Sequence, residues 1–340
     1  MKIAIIKPTE TISPTNGVKV QCEMWKRGLE ECGHEVTLIS DWSSQNWKEF
    51  DCILFVQFGG ILRGLANALY CINPNLAIAP IIDTNFSNLQ FKLLCKYYGS
   101  CRLKLSNIFH DFYKVRNMFK LYLVRSKYEK LYVTRSLGIP EERVKIVPLP
   151  YRVEPPTVIP EKENFCFHAS LLADKRKNVE RLICAAQKYK FKLVLAGNLR
   201  TDAERQWLHG MIDDYDNISY IGRVSDEVLF NHYRRAKVFA LPSINEGVGM
   251  VALEASTYGC EIVITNLGAP KEYYDGLAYL VNPYSVDSIG KAICKALSEE
   301  ENKQPRLREH IINNYDRSRC NQLLNEALRN TVSSQKLAHN

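Results

Sequence analysis

Long hydrophobic runs are missing from this chain. Its longest apolar stretches, such as residues 76–82, fall far short of the ~18 residues needed to cross a bilayer. Only Ile3, Ala4, Ile5 and Ile6 separate Lys2 from Lys7, too short a core for a signal peptide. The expectation is a cytoplasmic protein with no membrane span. Paired metal or disulfide spacing is also missing. The eleven cysteines are scattered from Cys22 to Cys320 without one Cys-x-x-Cys, so neither a disulfide framework nor a structural zinc site is indicated, and reduced thiols are expected. The seven histidines contain no His-x3-His, and no metal is expected. Glycine and proline, 17 and 14 of 340 residues, are too few for a fibrous or low-complexity chain.

What is present is ordinary globular composition, 46% hydrophobic and 24% charged, at a length that suggests two domains. The first forty residues switch between periods. Residues 2–7 and 33–40 are short β-branched runs suited to buried parallel strands. Between them Val18, Cys22, Trp25 and Leu29 recur at helical spacing up to Gly33. Strand, loop, helix and strand make a right-handed βαβ unit. Further strands are expected at 52–56 and 77–82, helix through 88–138, and a last strand at 144–148.

Pro148, Pro150, Pro155, Pro156 and Pro160 follow within thirteen positions, a density that marks a linker. The alternation then restarts, with strands at 165–169, 192–196, 218–221, 238–241, 262–264 and 277–281. Helices are expected at 178–188 and 202–212, and another capped by Ser225 with Asp226 and Glu227 in its first turn. The architecture expected is α/β, two Rossmann-like doubly wound domains facing a central cleft at the carboxyl ends of their sheets. Residues 1–155 form the first domain and 156–315 the second. The helical stretch that follows, about 316–334, is a candidate to pack back on the first.

The segment richest in chemistry is residues 242–255, Pro-Ser-Ile-Asn-Glu-Gly-Val-Gly-Met-Val-Ala-Leu-Glu-Ala. A strand ends before it and a helix is expected from Met250. Gly247 and Gly249 let backbone approach a ligand, and amides at a helix start attract anions. Glu246 lies before the turn and Glu254 about one helical turn inside. Phosphate at the helix end with carboxylates for a polyol suits a nucleotide-sugar. An ordinary strand-to-helix turn with a solvated Glu246 is the other reading that the spacing allows.

This segment, with seven residues between Glu246 and Glu254, resembles the signature of the retaining glycosyltransferases of family 4, which have the two-domain GT-B fold. Asn16-Gly17, Gly33-His-Glu-Val36, Ser126, Lys177-Asn-Val179 and Asn217-Ile-Ser-Tyr-Ile-Gly222 resemble further motifs of that family in its own order. Gly268-Ala-Pro-Lys-Glu272 departs mildly from its Gly-Gly-x-x-Glu pattern. The resemblance implies a hexosyltransferase acting without metal or cofactor, with a UDP- or GDP-linked sugar as its donor and a glycan or lipid-linked acceptor, in bacterial polysaccharide or glycoconjugate synthesis. Retention without an obvious second nucleophile suggests displacement on one face. By the same resemblance Glu246 accepts hydrogen bonds from donor-sugar hydroxyls and Glu254 holds the ribose diol. Gly247, Val248, Gly249, Met250 and Val251 cradle the diphosphate with Lys177, aided by Arg176, while Gly17 gives it close backbone access from the first domain.

Two positions depart from the family. Ala169-Ser170 stands where Gly-Arg is usual, leaving Arg176 or Arg200 to supply the charge, and Asp83-Thr84-Asn85 stands where a histidine usually follows the fourth strand. A degenerate GT-B subunit that binds a partner or glycan without turnover is therefore the alternative reading. A sugar-nucleotide epimerase of the same fold would lack the glutamate pairing. Asp214-Tyr-Asp216 matches a metal-binding Asp-x-Asp pattern of other transferases but reads as a polar turn.

Charge is uneven. The net charge is +8, and residues 92–135 hold eleven Lys/Arg against Asp111 and Glu129, so the rest nets −1. Nine aromatics are interleaved with these bases, a mixture suited to the inner face of an anionic membrane. No nucleic-acid motif accompanies them, and no nucleic-acid partner is expected.

Overall fold

The structure is a computed structural model that describes residues 1–6, 17–39, 44–99, 107–298 and 301–336. Two compact units divide the chain. The first holds Met1–Ile82, Phe86–Leu149 and Arg317–Asn340, and the second holds Asp83–Asn85 and Pro150–Asp316.

In the first unit six parallel strands, β1 (Lys2–Ile6), β2 (Glu35–Ile39), β3 (Cys52–Val56), β4 (Leu76–Ala79), β5 (Phe119–Val124) and β6 (Val144–Ile146), lie in the order β2-β1-β3-β4-β5-β6. Every residue of β3 and β4 is buried, which is why these segments read as continuous apolar runs rather than as alternating ones. Helices α1 (Gly17–Glu31), α2 (Leu62–Tyr70), α3 (Asn88–Tyr97), α4 (Ile108–Val115) and α5 (Lys127–Leu131) connect them. Gly17 opens α1 and is exposed, whereas Asn16 and the strand ends expected at Lys7 and Ser40 lie outside the described residues.

The expectation of helix through 88–138 is corrected at β5. Phe119-Lys-Leu-Tyr-Leu-Val124 has five of its six residues buried, and it pairs with β4 on one side and β6 on the other. A short apolar run of this kind is ambiguous by periodicity, and the two neighbouring strands settle it by satisfying its backbone. Just beyond, Ser126 caps α5 by accepting from the Glu129 amide at 3.0 Å. The buried Glu129 carboxylate accepts from the amides of Ile82 (2.6 Å) and Arg125 (2.7 Å) and from the Arg125 guanidinium. One carboxylate thus ties the ends of β4 and β5 together.

In the second unit the strands are β7 (Glu163–Ala169), β8 (Leu193–Ala196), β9 (Ile218–Tyr220), β10 (Ala236–Leu241), β11 (Glu261–Thr265) and β12 (Tyr279–Val281), all parallel, in the order β12-β11-β10-β7-β8-β9. Counted within the unit this is 3-2-1-4-5-6, the dinucleotide-fold order, whose direction of winding reverses between β7 and β10. The connecting helices are α6 (Val179–Tyr189), α7 (Asp202–Ile212), α8 (Asp226–Arg235), α9 (Met250–Thr257), α10 (Val286–Ser298) and α11 (Arg306–Asn314). Ser225 caps α8 as expected, accepting from the Val228 amide. Leu182, Ile183, Leu195, Val238, Ile289 and Ile293 are among the fully buried residues that fill the space between sheet and helices.

The last helix, α12 (Arg317–Lys336), belongs to the first unit and lies along α1. Asn321 donates to Glu31 at 3.0 Å, and Asn325 meets His34 at 2.8 Å. No helix of the described residues is long and apolar enough to cross a membrane.

Candidate functional site

The candidate site grows from two loops that leave neighbouring strands at the point where the winding of the second sheet reverses. In open α/β sheets this crevice is where ligands bind. One loop follows β7 and carries Ser170 and a single 3₁₀ turn, Lys175–Lys177. The other follows β10 and runs from Pro242 to Gly249. Backbone and side-chain bonds hold the two together. The Ile244 amide donates to the Arg176 carbonyl at 2.7 Å. Asn178, buried in a left-handed conformation with φ 60°, donates from Nδ2 to the carbonyls of Pro242 at 2.9 Å and Pro283 at 2.6 Å. Asparagine tolerates that conformation better than most residues, which gives the Lys177-Asn178-Val179 step a local physical reason.

This stitching places Lys177 Nζ 2.7 Å from Glu246 Oε2, and Ser243 Oγ donates to the same oxygen at 3.1 Å. Tyr274 lies close enough for the Glu246 charge to act on it. Burial first, and then that charge, holds the phenol far above the ordinary tyrosine range. Its hydroxyl is buried and has no hydrogen-bond partner among the described residues, and the same holds for Oδ1 of Asn245. Polar atoms left this way need a stated reason in a native structure.

Gly249 caps α9 with φ 75° and supplies no side chain to the helix start. A Cβ there would sit 3.2 Å from Leu241 Cδ2 in a backbone conformation that favours glycine. Among the described residues the amides of Gly247, Val248, Gly249, Met250 and Val251 donate to no protein acceptor. Five such amides at a helix start make a cradle for an anion. Gly197, just after β8, lies against the start of the loop that carries Ser170. A Cβ there would fall 2.0 Å from the Ser170 carbonyl oxygen.

Beside this cradle, the fully buried His168 meets the Ala240 carbonyl with Nδ1 at 2.8 Å and Ser170 Oγ with Nε2 at 2.7 Å. The carbonyl can only accept, so Nδ1 carries the proton and Nε2 accepts from the serine hydroxyl. Burial, opposed by the Ala240 bond and aided by the nearby Lys177 charge, lowers the imidazole pKa to about 4. Ser170 therefore has its hydroxyl hydrogen committed and its lone pairs available. In the sequence Ser170 stands out only as the position where arginine is usual.

Arg176 and Arg200 are placed differently from Lys177. Arg176 is exposed and forms a forked pair with Asp174, whose bond holds the guanidinium above its ordinary range. Arg200 is exposed in the loop after β8. Its amide completes a turn with Glu204, and among the described residues no side-chain bond ties it to Lys177 or Glu246. The Asp83–Asn85 segment belongs to this unit, with Asn85 Nδ2 donating to the Ile244 carbonyl at 2.7 Å. Asp214 and Asp216 are exposed in the turn before β9, in the third strand position from the switch point.

Glu254 is 0% exposed on α9, and both its oxygens are taken by Arg152, Oε1 by Nε at 2.5 Å and Oε2 by Nη2 at 3.0 Å. Burial pushes the Glu254 carboxyl above the ordinary range despite the arginine, and Asp226 adds to the rise. Arg152 sits in the proline-dense stretch, where sequence offered nothing to single it out. The structure thus separates the two glutamates of the motif. Glu246 faces Lys177 at the cradle, and Glu254 is held beneath it by a buried ion pair.

Comparison with known proteins bears on this unit first. The family model "Glycosyl transferases group 1" matches residues 153–317. The O-antigen chain mannosyltransferase B of Escherichia coli is 29% identical over 136 residues, which are 37% of this chain and 35% of that protein. An uncharacterized glycosyltransferase of Methanocaldococcus jannaschii is 27% identical over 209 residues, 56% of this chain and 52% of that one. The matched regions thus span about a third to a half of these two relatives. Among solved structures, a sucrose-phosphate synthase from Thermosynechococcus elongatus superposes with a TM-score of 0.75 at 16% identity, covering 98% of this chain and 99% of its own. A lipopolysaccharide outer core galactosyltransferase gives 0.70 at 16%, covering 96% and 99%. The fold is that of the GT-B glycosyltransferases.

Proposed function

We propose that this chain is a retaining glycosyltransferase that moves a sugar from a nucleotide-diphospho-sugar to a glycan or lipid-linked acceptor, in the cytoplasm, during synthesis of a bacterial polysaccharide or glycoconjugate. The observation that carries the reading is the Lys177–Glu246 pair at 2.7 Å beside the row of unengaged amides that begins α9. A cation and oriented N–H groups suit a diphosphate, and a carboxylate next to them suits sugar hydroxyls. The matched family and the named mannosyltransferase and galactosyltransferase relatives support the same assignment.

In this reading the amides of residues 247–251 and the Lys177 ammonium bind the donor's diphosphate, and Glu246 accepts from hydroxyls of the sugar. The acceptor oxygen forms a bond to the anomeric carbon as the bond from that carbon to the diphosphate breaks. The acceptor's proton passes to the departing phosphate oxygen on the same face, which retains the configuration. Negative charge grows on the diphosphate during this step, so groups fixed around it act on the transition state and not only on binding. Ser170, with its hydrogen committed to His168, can receive a donor hydroxyl but cannot replace the charge of an arginine. Tyr274 offers an unengaged hydroxyl beside Glu246. Glu254 keeps a second lone pair on each oxygen for a ribose diol while Arg152 holds the carboxylate in place, which makes Arg152 part of nucleotide recognition. In this reading the Lys177 ammonium and the helix-start amides, rather than a metal, face the diphosphate charge.

A binding subunit without turnover is less favoured, since such a protein has no need to keep Lys177 and Glu246 paired at the cradle. The test is Glu246→Gln assayed for sugar transfer and for affinity toward the free nucleoside diphosphate. A charge-assisted hydrogen bond contributes roughly 1.5–3 kcal/mol. Transfer should therefore fall about tenfold to a hundredfold while nucleotide affinity is kept. Transfer at the wild-type rate would remove Glu246 from the site.

A further inference from the structure

Among the described residues of 92–135, the interleaved bases and aromatics do not form one surface. Phe112, Phe119, Tyr122 and Tyr132 are buried in the first unit's core, and Phe109, Tyr113 and Tyr128 pack against it. Arg125 is buried on Glu129. Arg116 donates to the carbonyls of Leu137 and Tyr113 and lies 3.7 Å over the Tyr113 ring, while Lys120 donates to Asn75. These buried and internally bonded members are not available to a membrane. A compact part of it, together with residues just before it, points outward instead.

That part is helix α3. Phe91 and Cys95, one turn apart, are fully buried. On the other face Leu89, Leu93 and Tyr97 recur at four-residue spacing with exposures of 65%, 47% and 66%. Phe86 before the helix, Tyr98 after it at 67%, and Ile108 at the start of the adjacent α4 extend the exposed apolar area. The helix start is secured by a reciprocal cap, in which Ser87 Oγ accepts from the Gln90 amide and Gln90 Oε1 accepts from the Ser87 amide. Lys92 and Lys96 flank the apolar stripe, and Lys96 Nζ lies 5.1 Å from the Tyr97 ring centroid. From Thr84 to His110 the sequence contains four basic residues and no acid. The next acid, Asp111, is buried on Arg63.

We propose that the outer face of α3 docks on an anionic lipid bilayer. Contiguous exposed apolar side chains mark an interaction surface. The choice of partner follows from charge. A second copy of this face would set Lys92 and Lys96 against lysines, whereas acidic headgroups complement them. Leucine and tyrosine enter the headgroup boundary, and lysine stems cover apolar surface while their charges stay in water. The proposal is independent of the transfer reaction, since no residue of α3 belongs to the candidate site.

Flotation of the full chain with vesicles tests it. Wild-type protein should float at low salt with phosphatidylcholine vesicles containing about one-third phosphatidylglycerol, and stay behind with phosphatidylcholine alone. Each lysine near an anionic surface contributes about fivefold in partitioning. The Lys92→Gln/Lys96→Gln protein should therefore bind about 25-fold more weakly. Leu89→Gln/Leu93→Gln should lose a similar factor, at roughly fivefold per half-buried leucine. These are exposed positions, so unchanged circular dichroism and urea midpoints should accompany the losses. Three results overturn the proposal. One is no flotation of the wild type at low salt. Another is flotation equal to wild type in both double variants. The third is sedimentation showing a dimer that the leucine changes dissociate, or single-stranded oligonucleotide binding that the lysine changes abolish, without vesicle binding.

Discussion

Breaking the Arg152–Glu254 pair should convert a hidden carboxylate into a measurable pH dependence. Glu254 is wholly buried, and its ionised form is held by two bonds from a guanidinium that is itself 29% exposed. In Arg152→Met the carboxylate keeps its charge without a partner or takes up a proton. Breaking a buried pair typically costs about 3–5 kcal/mol. Protonation sets a ceiling. Holding a carboxyl neutral in the folded state at pH 7, when its ordinary value is 4.5, costs about 3.4 kcal/mol at 1.36 kcal/mol per pH unit. The smaller cost governs, so the variant should lose about 3 kcal/mol at pH 7. The folded pKa is raised, so the folded state binds more protons than the unfolded one above the ordinary glutamate value. Stability relative to wild type therefore increases on acidification and is lost as pH rises. The slope should be about 1.4 kcal/mol per unit between pH 7 and 5. Urea unfolding of the second unit, followed by hydrogen exchange in β10 and α9 across this range, reads it. Glu254→Leu should show no such slope, and Arg152→Met/Glu254→Leu should recover most of the loss, because apolar replacement of both partners is often neutral. A loss under about 1 kcal/mol at pH 7, or a flat profile in Arg152→Met, would refute the argument.

Four further outcomes are expected. Glu254→Gln should weaken nucleoside diphosphate binding about tenfold to a hundredfold, read by titration calorimetry; unchanged affinity would remove the ribose role. Lys177→Met should reduce transfer at least as much as Glu246→Gln does, because it takes a cation from the leaving diphosphate, and single-turnover rates would show this. Transfer should survive EDTA; abolition by EDTA with rescue by Mn²⁺ would return attention to Asp214 and Asp216. His168, with its pKa lowered to about 4, should destabilise the second unit as pH falls from about 6.5 toward 4, because the unfolded chain takes up the proton first. His168→Gln should flatten that part of the profile, read by thermal unfolding at stepped pH.

Composition and periodicity alone determined much of this protein. Apolar runs such as residues 52–56 are strands because burial on both faces of a parallel sheet tolerates no polar alternation. The β10–turn–α9 segment was legible because Gly247 and Gly249 leave few other uses for a strand followed directly by a helix. Residues 119–124 read as helix in the sequence because five apolar residues around Lys120 fit either period until β4 and β6 supply their partners. The tertiary structure alone decided which charges meet. Lys177 and Glu246 are 69 positions apart, and Arg152 and Glu254 are 102 apart, separations at which local sequence carries no information about pairing. The structure also sorted the aromatics. Phe112 and Tyr97 look alike in the sequence, but helix rotation buries one in the first unit's core and leaves the other exposed on α3. Burial belongs to the packed assembly of elements, and a residue's neighbours across the sheet, not those along the chain, fix what its charge or ring can do.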